Sequence, residues 1–156
     1  MKILYICTHN RCRSILSEAI TNEIAGDVIE ARSAGSQPAG IVHPLSLTYL
    51  KQTGYSTDGL CSQSWDDFEG FKPDVVITVC DAAAGETCPV YFNQSVRVHW
   101  GLQDPSKIEG DDMKVKEAFL ACIDEIAQRV TKLQAIAMNN LSHDALTYAL
   151  SNIGAR

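Results

Sequence analysis

Hydrophobic and polar positions along the chain follow two periods. Residues 3–6 form an apolar block too short for a helix, which predicts a strand buried on both faces. From residue 14 to residue 25, Ile15, Leu16, Ala19, Ile20 and Ile24 recur at helical spacing. A second strand is predicted over 28–31, ended by Ser33-Ala34-Gly35, and a helix over 43–52, stopped by Gly54. Trp65, Phe68 and Phe71 predict a short helical turn. The clearest strand pattern covers 74–80, with Val75, Val76, Ile77 and Val79 apolar on both faces, and a fourth strand follows over 96–100. A long helix is predicted over 112–138, where Phe119, Cys122, Ile123, Ile126, Val130 and Leu133 fall on one stripe. Asn139-Asn140 breaks it, and Ser142 is placed to cap a last helix through Ile153.

Strands that alternate with helices predict an α/β fold: a parallel sheet with helices on both faces. In such sheets the functional loops lie at the carboxyl ends of the strands. Cys7 directly follows the first predicted strand, Cys80 ends the third, and Asp104 lies just beyond the fourth. The pattern therefore places three chemically capable residues at one sheet edge. No repeat or linker interrupts the chain. Residues 1–138 read as one domain, and residues 139–156 as a helical tail packed on it.

Composition narrows the function. The 156 residues are 46% hydrophobic and 21% charged, which suits a compact core. The formal net charge of −6 argues against nucleic acid or an anionic membrane surface as partner. If the ligand is an anion, the attracting potential must be local. The first apolar run is too short for a signal-peptide core or a membrane span, so a cytoplasmic location is expected. In that reducing compartment the six cysteines read as thiols rather than disulfides.

The segment Cys7-Thr8-His9-Asn10-Arg11-Cys12-Arg13-Ser14 joins a strand to a helix, with the thiol first and Arg13 closing it. This arrangement can wrap backbone N–H groups around a tetrahedral oxyanion such as phosphate or sulfate. The following helix adds its positive end, and Arg13 adds a planar fork. The same field favours the nucleophilic thiolate form of Cys7. Ser14 either caps the helix or bonds to the Cys7 sulfur. Asn10 suits a loop position, because asparagine tolerates left-handed backbone.

The run CTHNRCRSILSEA resembles the loop of low-molecular-weight protein tyrosine phosphatases and of the arsenate reductases that share their fold. VITVCDAAAGETCPV and HWGLQDPS also resemble the reductases, and together the motifs span residues 1–138. The resemblance implies a three-layer α/β sandwich with a four-stranded parallel sheet and the oxyanion loop as active site.

Arsenate reduction takes two electrons, and two thiolates becoming a disulfide supply two. The resemblance makes Cys80 and Cys88 the redox pair, the latter across a segment of mostly small residues. It makes Asp104, held before Pro105, the acid that protonates the departing oxygen. Thioredoxin, or glutathione with glutaredoxin, would restore the thiols, with no bound cofactor, and the protein is expected to act as a monomer. Asn10, Glu18, Ser33 and Ser62 match or nearly match a potassium site of some relatives. The final acidic ligand is replaced by Ser64, so no metal requirement is expected.

Two alternatives stand beside the reductase. A tyrosine phosphatase would use Cys7, Arg13 and Asp104 through a phosphocysteine. Against it, Ser106 stands where such phosphatases usually carry tyrosine, and the second cysteine pair has no role in hydrolysis. An oxyanion-binding or redox-sensing module is the non-enzymatic alternative. Of the remaining cysteines, Cys122 is expected in the core, Cys12 beneath the loop, and Cys61 is incidental.

Overall fold

A computed structural model describes every residue except Thr87, Cys88, Ala155 and Arg156, together with all side chains of the described residues but that of Tyr91. Four parallel strands, β1 (Lys2–Ile6), β2 (Glu30–Ala34), β3 (Val75–Thr78) and β4 (Val96–His99), lie in the order β2-β1-β3-β4. Around them pack α1 (Arg13–Ala25), α2 (Pro44–Gln52), α3 (Asp81–Ala84), α4 (Asp112–Ala137) and α5 (His143–Gly154).

β1 is central, and Ile3, Leu4, Tyr5 and Ile6 are fully buried, as a strand covered on both faces requires. Each such aliphatic side chain contributes roughly 1.5–3 kcal/mol of burial. β3 is buried throughout, whereas the edge strand β4 alternates, with Val96 and Val98 in and Arg97 and His99 out. α1 has a very broad buried face because it is covered by the sheet and by α4.

Boundaries moved where pairing outranked local pattern. The second strand runs over Glu30–Ala34, later than the predicted 28–31, because Lys2 pairs with Glu30 and Ile6 with Ala34. Its inward residues are small (Ala31, Ser33), which hid it from a search for apolar runs. The third strand ends at Thr78 rather than residue 80. Cys80 instead caps the short helix α3, its sulfur accepting from the Ala83 amide at 3.3 Å. Single-turn 3-10 segments at Val90–Phe92 and Pro105–Lys107 had no periodic signal to betray them.

The last helix lies against β4 and α4, and the Trp100 indole N–H donates to the Leu150 carbonyl at 2.9 Å. Among the described residues, no helix is long and apolar enough to cross a membrane.

Candidate active site

β1 ends at Ile6 and α1 begins at Arg13, so Cys7 to Cys12 form the turn between them. Three neighbours set its shape. The amides of Gln37, Ala39 and His43 donate to the carbonyls of Thr8, His9 and Arg11, each at 2.9 Å. Within a planar peptide the N–H points away from the carbonyl. Turning those carbonyls outward therefore turns the amides of His9, Asn10 and Cys12 inward. Those three amides donate to no protein acceptor among the described residues.

Asn10 adopts a positive φ of 47° and is fully buried. Its Oδ1 accepts the Gln63 amide at 2.8 Å, which fixes its Nδ2 as donor to the Ser14 hydroxyl, also at 2.8 Å. The Ser14 oxygen thus accepts a hydrogen bond from Asn10, and its own hydrogen is left for the Cys7 sulfur at 2.8 Å. Ser14 therefore serves the thiol rather than capping the helix. α1 has Cys12 at its N-cap, with no side-chain cap. Gly35 closes the loop from behind: a Cβ there would meet the Thr8 carbonyl oxygen at 2.5 Å and that of Cys7 at 2.8 Å.

Arg13 leans across the mouth. Its Nη1 donates to the Leu102 carbonyl at 3.0 Å, and its Nη2 stands 3.5 Å from Asp104 Oδ2. Asp104 Oδ1 is taken by the amide and hydroxyl of Ser106, at 2.9 and 2.6 Å. Oδ2, met only by the longer contact from Arg13, is the less engaged oxygen and the better placed to act on a ligand. The cavity between loop and Asp104 measures about 160 Å³, and Cys7, Cys80, Arg11, Arg13 and Lys107 share its lining. Three cations around one small space supply the local positive potential that an acidic chain lacks globally.

The structure thus brings Cys7, Thr8, His9, Arg11, Cys12, Arg13, Asp104 and Cys80 to one cavity. Asn10 and Ser14 stand behind it. Cys88 lies outside the described residues. The His9 ring is exposed and pairs with the Gln37 carbonyl. Burial pushes the Cys12 thiol up to about 12, opposed in part by a bond from Ser46, and burial pushes Cys122 up to about 12 as well. Both stay protonated and inert at neutral pH, in keeping with their expected packing roles. Cys61 is exposed.

Of the possible potassium ligands, Glu18 accepts from Ser33 at 2.6 Å, Asn10 Oδ1 holds the Gln63 amide, and Ser62 bonds the His9 carbonyl. Among the described residues no group of three or more His, Cys, Asp and Glu side chains is placed to hold a metal.

Sequence reasoning missed Lys107, Gln63, Gly35 and Glu86. Glu86 lies in the spacer between Cys80 and Cys88, and its Oε1 accepts from Thr8 at 3.0 Å. Gln63, Gly35 and Glu86 act through contacts spanning 20 or more positions, and Lys107 shares a cavity lining with the distant Cys7, which no local pattern reports.

The sequence profile of the low molecular weight phosphotyrosine protein phosphatase family matches residues 2–145. An arsenate reductase of Halalkalibacterium halodurans is 35% identical over 128 residues, covering 82% of this chain and 91% of the relative. One of Bacillus subtilis is 32% identical over 130 residues, covering 83% and 92%. A solved arsenate reductase in the phosphate binding state superposes with a TM-score of 0.72 at 26% identity, over 87% of this chain and 98% of that one. The Corynebacterium glutamicum thioredoxin-dependent arsenate reductase Cg_ArsC1' aligns with a TM-score of 0.68 at 30% identity, over 88% of this chain and 61% of that one. With the profile spanning nearly the whole sequence, and relatives above 30% identity covering most of it, the chain belongs to the low molecular weight phosphotyrosine protein phosphatase family.

Proposed function

We propose that the protein reduces arsenate to arsenite for arsenic detoxification, using Cys7 as nucleophile and a thiol relay through Cys80 and Cys88. The observation that carries this reading is a thiol in the oxyanion cavity besides Cys7 and the buried Cys12: Cys80 lines the same space. A hydrolytic phosphatase has no use for it.

In this scheme arsenate is held by the inward amides of His9, Asn10 and Cys12, with Arg13 and Arg11 balancing its charge. Cys7 attacks arsenic, and Asp104 Oδ2 hands a proton to the departing oxygen, which leaves as water. Cys80 then attacks the Cys7 sulfur. The S–As electron pair stays on arsenic, which leaves as arsenite. Cys88 attacks Cys80, freeing Cys7 and leaving a Cys80–Cys88 disulfide for thioredoxin to reduce. Two thiolates supply both electrons, so the scheme needs no resident metal or cofactor. Relatives named arsenate reductase, one of them thioredoxin-dependent, support the assignment. The small cavity also favours an inorganic oxyanion, since drug-sized ligands occupy roughly 300–1,000 Å³.

The test is a single turnover without added reductant, read as arsenite released and disulfides mapped. Wild type is expected to release arsenite and carry Cys80–Cys88. Cys88→Ser should release once and stall with Cys7 joined to Cys80, and Cys80→Ser should release none. Full turnover by both variants with glutathione and glutaredoxin would remove the relay. p-Nitrophenyl phosphate hydrolysis outpacing arsenate reduction would favour the phosphatase.

A further inference from the structure

The relay asks Cys80 to attack as a thiolate, and something must take its proton. Thr8 Oγ1 lies 3.7 Å from Cys80 Sγ and 3.0 Å from Glu86 Oε1. A threonine hydroxyl has one hydrogen. An ionised carboxylate can only accept, so that hydrogen points to Glu86. The Thr8 oxygen then has only lone pairs to offer Cys80, and the thiol must be the donor. On its other side the Cys80 sulfur accepts the Ala83 amide at 3.3 Å. With Glu86 as a carboxylate and Cys80 as a thiol, the donor inventory sets each direction in this chain.

We propose that Glu86 is the terminal base for Cys80, taking the thiol proton through the Thr8 hydroxyl. The inference rests on Cys80 being the second nucleophile. As Cys80 attacks, its S–H proton passes to Thr8 Oγ1 while the Thr8 proton passes to Glu86 Oε1. The Cys80–Cys7 bond forms and the Cys7–arsenic bond breaks. Arsenic gains two electrons, and each sulfur loses one. An isolated thiol is a weaker acid than a carboxylic acid by about four pK units. Proton transfer therefore accompanies S–S bond formation rather than preceding it, which makes Glu86 a general base.

Thr8 belongs to the oxyanion loop and Glu86 follows α3, so the contact also couples relay segment to loop. The charged groups sharing a cleft with Glu86 are Arg97 and His99 of β4. His99 is engaged by Thr78 Oγ1 at 2.8 Å and by Asp81 Oδ1 at 3.0 Å. No hydrogen bond links either to Thr8 or Cys80.

The test is single-turnover arsenite release by wild type, Glu86→Gln, Glu86→Asp and Cys80→Ser from about pH 5.5 to about pH 9.5, spanning carboxylate-to-thiol chemistry. All four keep Arg97 and His99, so differences between the profiles isolate the substituted group. Near neutral pH, Glu86→Gln is expected to release arsenite at least ~10-fold more slowly and to approach wild type at high pH, where a thiol ionises unaided. Glu86→Asp should recover part of the rate. A Glu86→Gln profile that tracks wild type, or lies below it by one constant factor at every pH, would overturn the base role; the constant factor would mark Glu86 as a positioning residue. Arsenite release by Cys80→Ser at the wild-type rate would instead bring down the relay, and this inference with it.

Discussion

Of the three thiols that line the cavity, Cys7 and Cys80 sit in hydrogen-bond chains that we read as opposite in sense. At Cys7 the chain runs inward: the Gln63 amide to Asn10, Asn10 to Ser14, and Ser14 to the sulfur. At Cys80, in the proposed reading, one branch runs outward, from the thiol to Thr8 and on to Glu86. A chain that ends on sulfur strengthens as that sulfur becomes negative, which suits a nucleophile that later becomes a leaving group. A chain that ends on a carboxylate removes a proton, which suits a thiol called on once. Their settings differ too. Asn10, Ser14 and the backbone around Gly35 are buried and closely packed, whereas Asp81, Ala82, Ala84 and Gly85 are exposed. One wall of the cavity is fixed in advance, and the other can rearrange at little packing cost.

The largest test of the fixed wall is Asp104→Asn. It preserves shape and the acceptor for Ser106 but cannot donate a carboxyl proton. Arsenate reduction is expected to fall by of order 10²-fold or more in kcat, with little change in arsenate affinity. Near wild-type turnover would make Asp104 a turn residue only.

Next comes the same substitution made in both walls. Gly35→Ala forces a methyl against the Thr8 and Cys7 carbonyls, at 2.5 and 2.8 Å. Overpacking of this kind costs typically ~1–3 kcal/mol. A fall in thermal stability and weaker phosphate binding by calorimetry are expected together. Among the described residues, Gly85→Ala meets nothing nearer than 3.6 Å, and it keeps an ordinary helical φ of −84°. It should leave phosphate binding and stability close to wild type. Equal damage from both would dissolve the contrast between the walls.

The smallest effect is expected at Glu18, under the loop. Burial raises its carboxyl pKa, against the opposing effects of the Ser33 bond and Arg32. The folded state thus holds this proton more tightly than the unfolded chain. The stability it contributes is complete below the unfolded carboxyl range and is lost as pH rises through the folded value. Glu18→Gln keeps an acceptor for Ser33 without the charge. Its melting temperature relative to wild type should therefore rise from acid to neutral pH. A difference that stays flat with pH, or shrinks, would contradict burial as the dominant influence.

Much of this was legible in the chain. Apolar blocks give strands, helical spacing gives helices, and the rule that loops at strand carboxyl ends carry function placed Cys7, Cys80 and Asp104 together before any contact was known. Those signals are local, and a linear sequence carries them whole. The second strand was misplaced because its inward residues are small and only pairing with β1 reveals its register. The short α3 went unseen because four residues hold too little periodicity to register. Tertiary structure alone decided the direction of each hydrogen-bond chain. Gln63 reaches Asn10 across 53 positions and Glu86 reaches Thr8 across 78. Sequence supplies the donors and acceptors, but which lone pair meets which hydrogen is set by how distant segments pack, and the proposed contrast between Cys7 and Cys80 rests on that packing.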